Sequence, residues 1–501
     1  MPGWMGSPTI AAIVIAIAAV KLLVAANTDL VRDEAYYALW STAPAPGYLD
    51  HPPAIAWFIA AGRAMLPDGE LAVRLTTILS TIAISAAVWR IGRLGFDDLR
   101  IAPLAVLWFN LSLAAGVGLF VATPDAPSAL FWALCLWCGA ELARSGAGWW
   151  WIAFGVFAGP GLQTKYTNLF LGAGIVLWLA FYPQRRRWFA DWRLWAGGVA
   201  ALALFAPNVA WNAQNGWATF IKQFGRSGSG FTEGWAGLRY IPEFIAGQAG
   251  FMLPALFLFS AAGLGLWARR RSTRGNAVLA LLVWTTLPLL AYFMFHGTHS
   301  RVQGNWTMPL VAPLALIAAW AAIEWRPDAP RFARLLRFLR RWHAPFAALV
   351  LAVVFAHAWS GWPKTPFRDP TAEMHGWRET ARTIERAAKE NDAAFIATLG
   401  DYGMTGWLAT YQAWTSGTLP VEQLDQRIRY RFLPAPDARK LGWPALLVTR
   451  QGQIDGKRMP ARLKDVARRI GTVERRRGDD TLATYDLWLL DRPPAPVFVD
   501  E

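Results

Sequence analysis

Long apolar runs separated by short polar connections occupy most of the first 360 positions of the chain. A helix needs roughly 20 apolar residues to cross a bilayer, and the pattern predicts about eleven transmembrane helices by that criterion. The runs cover residues 8–26, 71–92, 101–121, 126–143, 149–163, 167–182, 194–211, 244–268, 276–295, 305–324 and 344–360. Residues 33–40 and 53–65 have helical apolar spacing but are too short to span. We therefore expect them to be amphipathic helices in the first exterior loop, at the membrane interface.

The pattern changes near Lys364. Asp369-Pro370 is typical of a helix start, and apolar side chains then recur at helical spacing at Trp377, Ala381, Ile384 and Ala388. Runs rich in β-branched and other apolar residues predict strands at 394–398, 445–449 and 481–490. We therefore expect a polytopic α-helical membrane domain at 1–363, followed by a small soluble α/β domain at 364–501.

Composition agrees with a membrane protein, because the chain is 55% hydrophobic and contains 30 Trp. The net charge of +15 does not indicate nucleic-acid binding, because the arginines cluster in short connections at 185–187, 269–274 and 326–341. Basic connections of this kind stay in the cytoplasm. With the N-terminus inside, the exterior segments are then expected at 27–70, 122–126, 163–167, 212–243, 296–304 and the C-terminal domain.

Acidic side chains stand directly beside the predicted membrane spans. Asp33 and Glu34 follow the first apolar run, Asp50 lies in a Gly-Tyr-Leu-Asp-His-Pro-Pro segment, and Asp125 lies between the third and fourth runs. Carboxylates are costly at membrane depth, so we expect all four in water or in a polar cavity at the exterior surface. Each also has a plain structural explanation, since acids favour a helix start and Asp125 can cap the helix that follows it.

Basic side chains of other exterior connections complete the candidate chemistry. Lys165 lies in a Thr-Lys-Tyr turn, Arg226 precedes a Ser-Gly stretch, and Arg301 stands just before the tenth run. The structural alternative for Lys165 and Arg301 is interfacial anchoring at a helix end. Together with the carboxylates, these cations suit a substrate that has a phosphate on a lipid tail. The cations would bind the phosphate and a carboxylate would accept a hydroxyl proton.

In this order, the motifs resemble GT-C membrane glycosyltransferases that use polyprenyl-phosphate sugars. This class includes protein O-mannosyltransferases, lipid A aminoarabinose transferases and lipid A galacturonosyltransferases. The resemblance covers the whole chain and is densest over 32–53 and 121–128. It implies a GT-C fold and inverting transfer of a sugar to a lipid A, lipopolysaccharide or other envelope acceptor. The active site and the C-terminal domain would lie on the periplasmic side of a bacterial inner membrane.

The resemblance also implies roles for individual residues. Asp33 would be the base or acceptor-orienting carboxylate, Glu34 would hold it, and Asp125 would be the second carboxylate of the site. The donor phosphate would be bound by Lys165, Arg226 and Arg301. Donor or acceptor binding would involve Tyr36, Tyr37, Tyr48, Asp50 and His51. Because His51 stands where the aminoarabinose transferases have lysine, a divalent metal at Asp50 and His51 stays open as an alternative.

Three other functions stay open from the sequence. Protein O-mannosylation is the alternative within the enzyme class. A transporter for a lipid-linked substrate is the alternative outside it, although the sequence lacks the inverted-repeat symmetry that many transporters have. The third is a binding protein that acts through its soluble domain. There the one concentrated candidate is Asp401-Tyr402, which we interpret as a loop cap and a core tyrosine.

Overall fold

The computed structural model describes residues 6–225, 234–269, 276–364, 369–415, 417–438, 440–454 and 459–500. Its α-helices are α1 (Ser7–Ala25), α2 (Arg32–Thr42), α3 (Ala54–Met65), α4 (Glu70–Gly95), α5 (Ile101–Leu111), α6 (Leu113–Gly118), α7 (Asp125–Ser145), α8 (Trp150–Leu162), α9 (Leu169–Phe181), α10 (Trp192–Gln214), α11 (Ala218–Gly225), α12 (Tyr240–Met252), α13 (Pro254–Arg269), α14 (Ala277–His296), α15 (Met308–Glu324), α16 (Pro330–Ser360), α17 (Trp377–Glu390) and α18 (Tyr402–Trp414). Its strands are β1 (Phe395–Thr398), β2 (Val421–Gln423), β3 (Ala445–Arg450), β4 (Ala467–Arg477) and β5 (Asp480–Leu490).

All of the predicted apolar runs are largely helical, which confirms the polytopic helical fold class. In the described part of the chain, seven helices are long and apolar enough to cross a membrane, or up to nine if each of two bent pairs is one span. The remaining runs form shorter helices for local reasons. For example, Ser112 interrupts the third run because its hydroxyl accepts a hydrogen bond from the Ala115 N–H (3.1 Å) and caps α6. Helices α12 and α13 meet at 114°, where Leu253 adopts a φ of 65° just before Pro254.

The chain divides into two compact units. The first unit contains residues 1–22, 50–55 and 76–354, and the second contains residues 23–49, 56–75 and 355–501. Besides the soluble domain expected at 364–501, the second unit thus includes all of α2 and most of α3.

The core of the first unit is built on α15, which is buried from Met308 to Ile323. Small residues allow the neighbouring helices α8 and α10 to approach closely. A Cβ atom at Gly155 would lie only 2.0 Å from the carbonyl oxygen of Gly197, so no larger residue fits there. This contact fixes the position of α8, the helix that leads into the turn containing Lys165.

In the second unit a five-stranded sheet has the order β2-β1-β3-β5-β4. Strand β1 is parallel to β2 and β3, whereas β5 is antiparallel to β3 and β4. The three predicted strands are confirmed as β1, β3 and β5, while β2, β4 and α18 were not predicted. Helix α2 packs closely on α18, because a Cβ atom at Gly406 would lie 2.8 Å from the backbone nitrogen of Tyr36.

The predicted helix start at Asp369-Pro370 is wrong. Helix α17 begins at Trp377, after Gly376 at a φ of 84°. Asp369 instead accepts hydrogen bonds from the backbone and hydroxyl of Thr371 (both 2.7 Å) and pairs with Arg477 (3.1 Å). These partners, with His357, lower the pKa of Asp369 to about 2 despite its partial burial. The carboxylate therefore stabilises the turn before α17 rather than the first turn of a helix.

Candidate functional site

The Asp33 carboxylate lies in the second unit, in the first turn of α2. The Tyr402 hydroxyl, in the first turn of α18, donates a hydrogen bond to its Oδ1 atom over 2.7 Å. Asp33 is only partly buried, whereas residues 34–41, which follow it in α2, are buried. A carboxylate that is oriented on one side and partly open to solvent suits a group that accepts a proton from a substrate hydroxyl.

Glu34 is fully buried and forms a two-pronged ion pair with Arg74, which is also fully buried. The two nitrogen–oxygen distances are 2.7 and 2.6 Å. Arg74 also donates to the Thr28 hydroxyl (2.8 Å) and to the backbone oxygens of Thr28 and Asp29 (2.8 and 2.7 Å). The second Glu34 oxygen accepts from the Val31 N–H (3.0 Å) at the start of α2. This network is consistent with the role expected of Glu34, because it fixes the start of α2, the helix that carries Asp33.

The three candidate tyrosines, Tyr36, Tyr37 and Tyr48, are buried in the second unit. The ring of Tyr36 lies 5.0 Å from that of Tyr402, and Tyr37 lies 4.8 Å from Trp40. Tyr48 stacks on Trp40 at 4.0 Å and 9°, and burial raises its pKa to about 12. The rings therefore form an aromatic core behind Asp33, and sequence spacing alone did not distinguish this packing from ligand binding.

Asp125 and Lys165 lie together in the first unit, where Lys165 Nζ donates to Asp125 Oδ1 over 2.7 Å. Their side chains are 3% and 10% exposed. The other Asp125 oxygen accepts from the amide of Asn305 (2.7 Å). The sequence predicted Asp125 and Lys165 as site residues but not Asn305, which stands at the start of the tenth apolar run.

The remaining candidates are distributed differently from the expectation. The Arg301 side chain is 72% exposed and pairs with Glu243. Asp50 pairs with the ammonium of Lys222 in α11. The segments 27–70 and 212–243, both expected to contribute to the site, therefore meet through an ion pair. Arg226 lies outside the described residues.

A metal site at Asp50 and His51 gains no further ligands from the described residues. Nowhere among them do three or more His, Cys, Asp or Glu side chains form a group that could hold a metal ion. Asp50 already has a cationic partner in Lys222, and a metal ion would have to displace that lysine.

An apolar cavity of about 280 Å³ lies among α7, α8, α9 and α10 of the first unit. Its lining includes Trp132, Gly155, Gly161 and Asn168. Asn168 is anchored by hydrogen bonds to Ser128 (2.9 Å) and to the Gly161 carbonyl (2.6 Å). Gly161 and Asn168, which line the cavity, flank the turn that contains Lys165.

Comparison with known proteins finds several relatives. Residues 50–211 match the family model described as dolichyl-phosphate-mannose-protein mannosyltransferase. The lipid A galacturonosyltransferase RgtD of Rhizobium johnstonii is 26% identical over 58% of this chain and 60% of its own length. An undecaprenyl phosphate-alpha-4-amino-4-deoxy-L-arabinose arabinosyl transferase of Pseudomonas fluorescens is 26% identical over 54% of this chain and 49% of its own length. The chain thus spans about half to three fifths of the length of these relatives in the matched region.

The solved structure of ArnT from Cupriavidus metallidurans, bound to undecaprenyl phosphate, is similar along nearly the whole chain. The TM-score is 0.64 at 15% identity, and the similarity covers 96% of this chain and 98% of ArnT. At this identity the likeness establishes the fold. The matched family model and the curated relatives are likewise glycosyltransferases by name, so the chain is similar to GT-C membrane glycosyltransferases in part of its sequence and in its fold.

Proposed function

We propose that the chain is an inverting glycosyltransferase that moves a sugar from a polyprenyl-phosphate donor to a lipid A, lipopolysaccharide or other cell-envelope acceptor. The observation that carries the proposal is the nearly buried ion pair of Lys165 and Asp125, because Gly161 and Asn168, which flank Lys165 in the chain, line an apolar cavity. A prenyl chain requires an apolar surface, and its phosphate requires a cation at the end of that surface. The names of the relatives support the same pairing of a lipid phosphate with a sugar.

In the proposed reaction an acceptor oxygen attacks the anomeric carbon of the donor sugar. The bond from that carbon to the phosphate oxygen breaks, and polyprenyl phosphate leaves with the electron pair. Lys165 stabilises the charge that develops on the departing phosphate. Asp33 accepts the proton when the attacking group is a hydroxyl, and Tyr402 keeps the carboxylate oriented. The activated donor supplies the driving force, so the exterior face needs no nucleotide.

Protein O-mannosylation is the second candidate, and the matched family model at residues 50–211 favours it. The two candidates share the donor chemistry and differ in the acceptor. The acceptor class is decided by where the transferred sugar is found, on a lipid or on a protein.

Replacing Lys165 with Ala is expected to lower kcat/KM for the donor by about 10–100-fold, because one hydrogen bond to a charged group contributes about 1.5–3 kcal/mol. Arg226→Ala should act in the same direction, and the double variant should lose less than the product of the two effects if both residues bind one phosphate. Initial rates against polyprenyl-phosphate-sugar concentration in detergent measure this. Lys364→Ala, which changes a 76% exposed lysine, is the control. Unchanged donor dependence in both single variants would remove these residues from the site.

The proposed membrane orientation predicts that the C-terminal domain is periplasmic and that the basic segment 326–341 is cytoplasmic. Alkaline phosphatase fused after Lys364 is expected to be active, and the same reporter fused within 331–341 is expected to be inactive. Activity that appears only in the second fusion would show that the domain lies in the cytoplasm.

A further inference from the structure

A second cavity, of about 420 Å³, lies entirely within the second unit and has a different character. It is formed where the loop before α18 meets the start of α2 and the turn after β3. Besides two glycines, its lining consists of Arg32, Asp401, Tyr402, Arg450, Gln451 and Gln453. Because none of the described lining residues has an aliphatic side chain, the cavity suits a polar ligand rather than a lipid tail.

The two arginines of this cavity are not fully satisfied by the protein. Arg32 Nη2 lies 3.5 Å from Asp401 Oδ2, and Arg450 Nε lies 3.4 Å from the same oxygen. Glu373 lies farther from Arg32 Nη2, at 3.9 Å. Within the described ranges, the buried Nε of Arg32 has no hydrogen-bond partner, and the contact of Arg450 Nε with Asp401 is an ion pair without a hydrogen bond. A buried donor without a hydrogen bond destabilises the protein, and a ligand oxygen that accepts from it would remove that cost.

The cavity is connected to the candidate base through two of its lining residues. Tyr402 lines the cavity and donates its hydroxyl hydrogen bond to Asp33. Arg32 directly precedes Asp33 in the first turn of α2. The cavity and the carboxylate that the proposed mechanism assigns to proton transfer therefore share Tyr402 as a neighbour.

We propose that this cavity is the acceptor subsite and that it binds an anionic saccharide group, a phosphate or carboxylate carried by a sugar. The assignment rests on the proposed glycosyltransferase function. Arg32 and Arg450 supply planar donor arrays, which match the oxygens of a phosphate or carboxylate. Asp401 and the amide of Gln451 bind the sugar hydroxyls, and Tyr402 connects the cavity to Asp33 through its hydrogen bond.

The position of Arg32 depends on a glycine. A Cβ atom at Gly403 would lie 2.2 Å from Arg32 Cγ and 3.0 Å from Cδ, so Gly403→Ala must displace the arginine stem. Gly403→Ala therefore removes Arg32 from the cavity without removing its charge from the protein. It should reproduce the acceptor defect of Arg32→Gln.

The test uses the purified full chain in detergent and two ligands. Phosphorylated lipid A probes the acceptor subsite, and undecaprenyl phosphate probes the donor site. Arg32→Gln and Arg450→Gln are each expected to weaken binding of phosphorylated lipid A by about 10–100-fold, and to leave binding of undecaprenyl phosphate unchanged. Arg431→Gln, which changes a 53% exposed arginine of the same unit, is the matched control and should bind both ligands as the wild type does.

Two further ligands distinguish the source of the anion. If dephosphorylated lipid A binds to the wild type and to the Arg32 and Arg450 variants with the same affinity, the group that the arginines bind is a phosphate. An oligosaccharide with a uronate but no phosphate identifies a carboxylate if its binding requires both arginines. Wild-type affinity of Arg32→Gln, Arg450→Gln and Gly403→Ala for both anionic ligands would overturn the proposal. Failure of the wild type to bind undecaprenyl phosphate would instead contradict the proposed donor, whatever the arginine variants do.

Discussion

Asp33→Asn is expected to lower sugar transfer by about 10²–10⁴-fold, the usual contribution of a general base. The amide has almost the same shape as the carboxylate, and its oxygen can still accept the hydrogen bond from Tyr402. However, it cannot accept a proton from the acceptor hydroxyl. Turnover is measured with a polyprenyl-phosphate-sugar donor at saturating acceptor, and the unfolding temperature in detergent shows whether the variant is folded.

The matched control is Asp68→Asn, in the same unit, whose carboxylate is 47% exposed and pairs with Arg63. This variant should retain wild-type turnover. A loss of turnover smaller than about 10²-fold in Asp33→Asn would indicate that a phosphate oxygen of the acceptor attacks the sugar. Such an oxygen is already anionic and needs no base. Wild-type turnover of Asp33→Asn with every acceptor tried would refute the catalytic role.

Arg74→Met is expected to destabilise the protein by about 3–5 kcal/mol, because it leaves the fully buried Glu34 carboxylate without its counter-charge. Loss of this pair should also loosen the start of α2, so turnover is expected to fall together with stability. Thermal unfolding in detergent, compared at one protein and detergent concentration, measures the first effect.

The double variant Glu34→Leu/Arg74→Met should recover part of the lost stability, since it removes both buried charges. Recovery should be incomplete because Arg74 also satisfies the backbone oxygens of Thr28 and Asp29. The control Arg431→Met removes one partner of an exposed ion pair and should cost less than about 1 kcal/mol. An Arg74→Met protein as stable as this control would contradict the role assigned to the buried pair.

Local patterns account for the parts of the fold that sequence analysis predicted. Apolar runs are a property of neighbouring residues, so the membrane helices and strands β1, β3 and β5 could be predicted. The interruption of the third run at Ser112 and the bend before Pro254 depend on single residues inside otherwise continuous runs. For that reason the sequence predicted about eleven spans, whereas the described residues contain seven to nine.

The candidate site was predictable only where a motif is confined to one loop. Asp33, Asp125 and Lys165 could be selected from their motifs, but their partners are far away in sequence. Tyr402 follows Asp33 by 369 positions, and Arg74 follows Glu34 by 40. No periodicity relates such residues, since they meet through the packing of whole elements. The unsatisfied arginines beside Asp401 were hidden for the same reason, because a loop cap and a binding site have the same local sequence.

The most direct test of the proposed function is untargeted mass spectrometry of lipid A, glycans and proteins from a strain that lacks this chain. The same strain complemented with the wild type or with Asp33→Asn is compared in parallel. We expect one envelope glycoconjugate to lose the mass of a single sugar in the deletion strain, to regain it with the wild type, and not to regain it with Asp33→Asn. Identical glycoconjugates in all strains, under conditions in which the wild-type chain is expressed, would contradict the proposal that it transfers a sugar to an envelope acceptor.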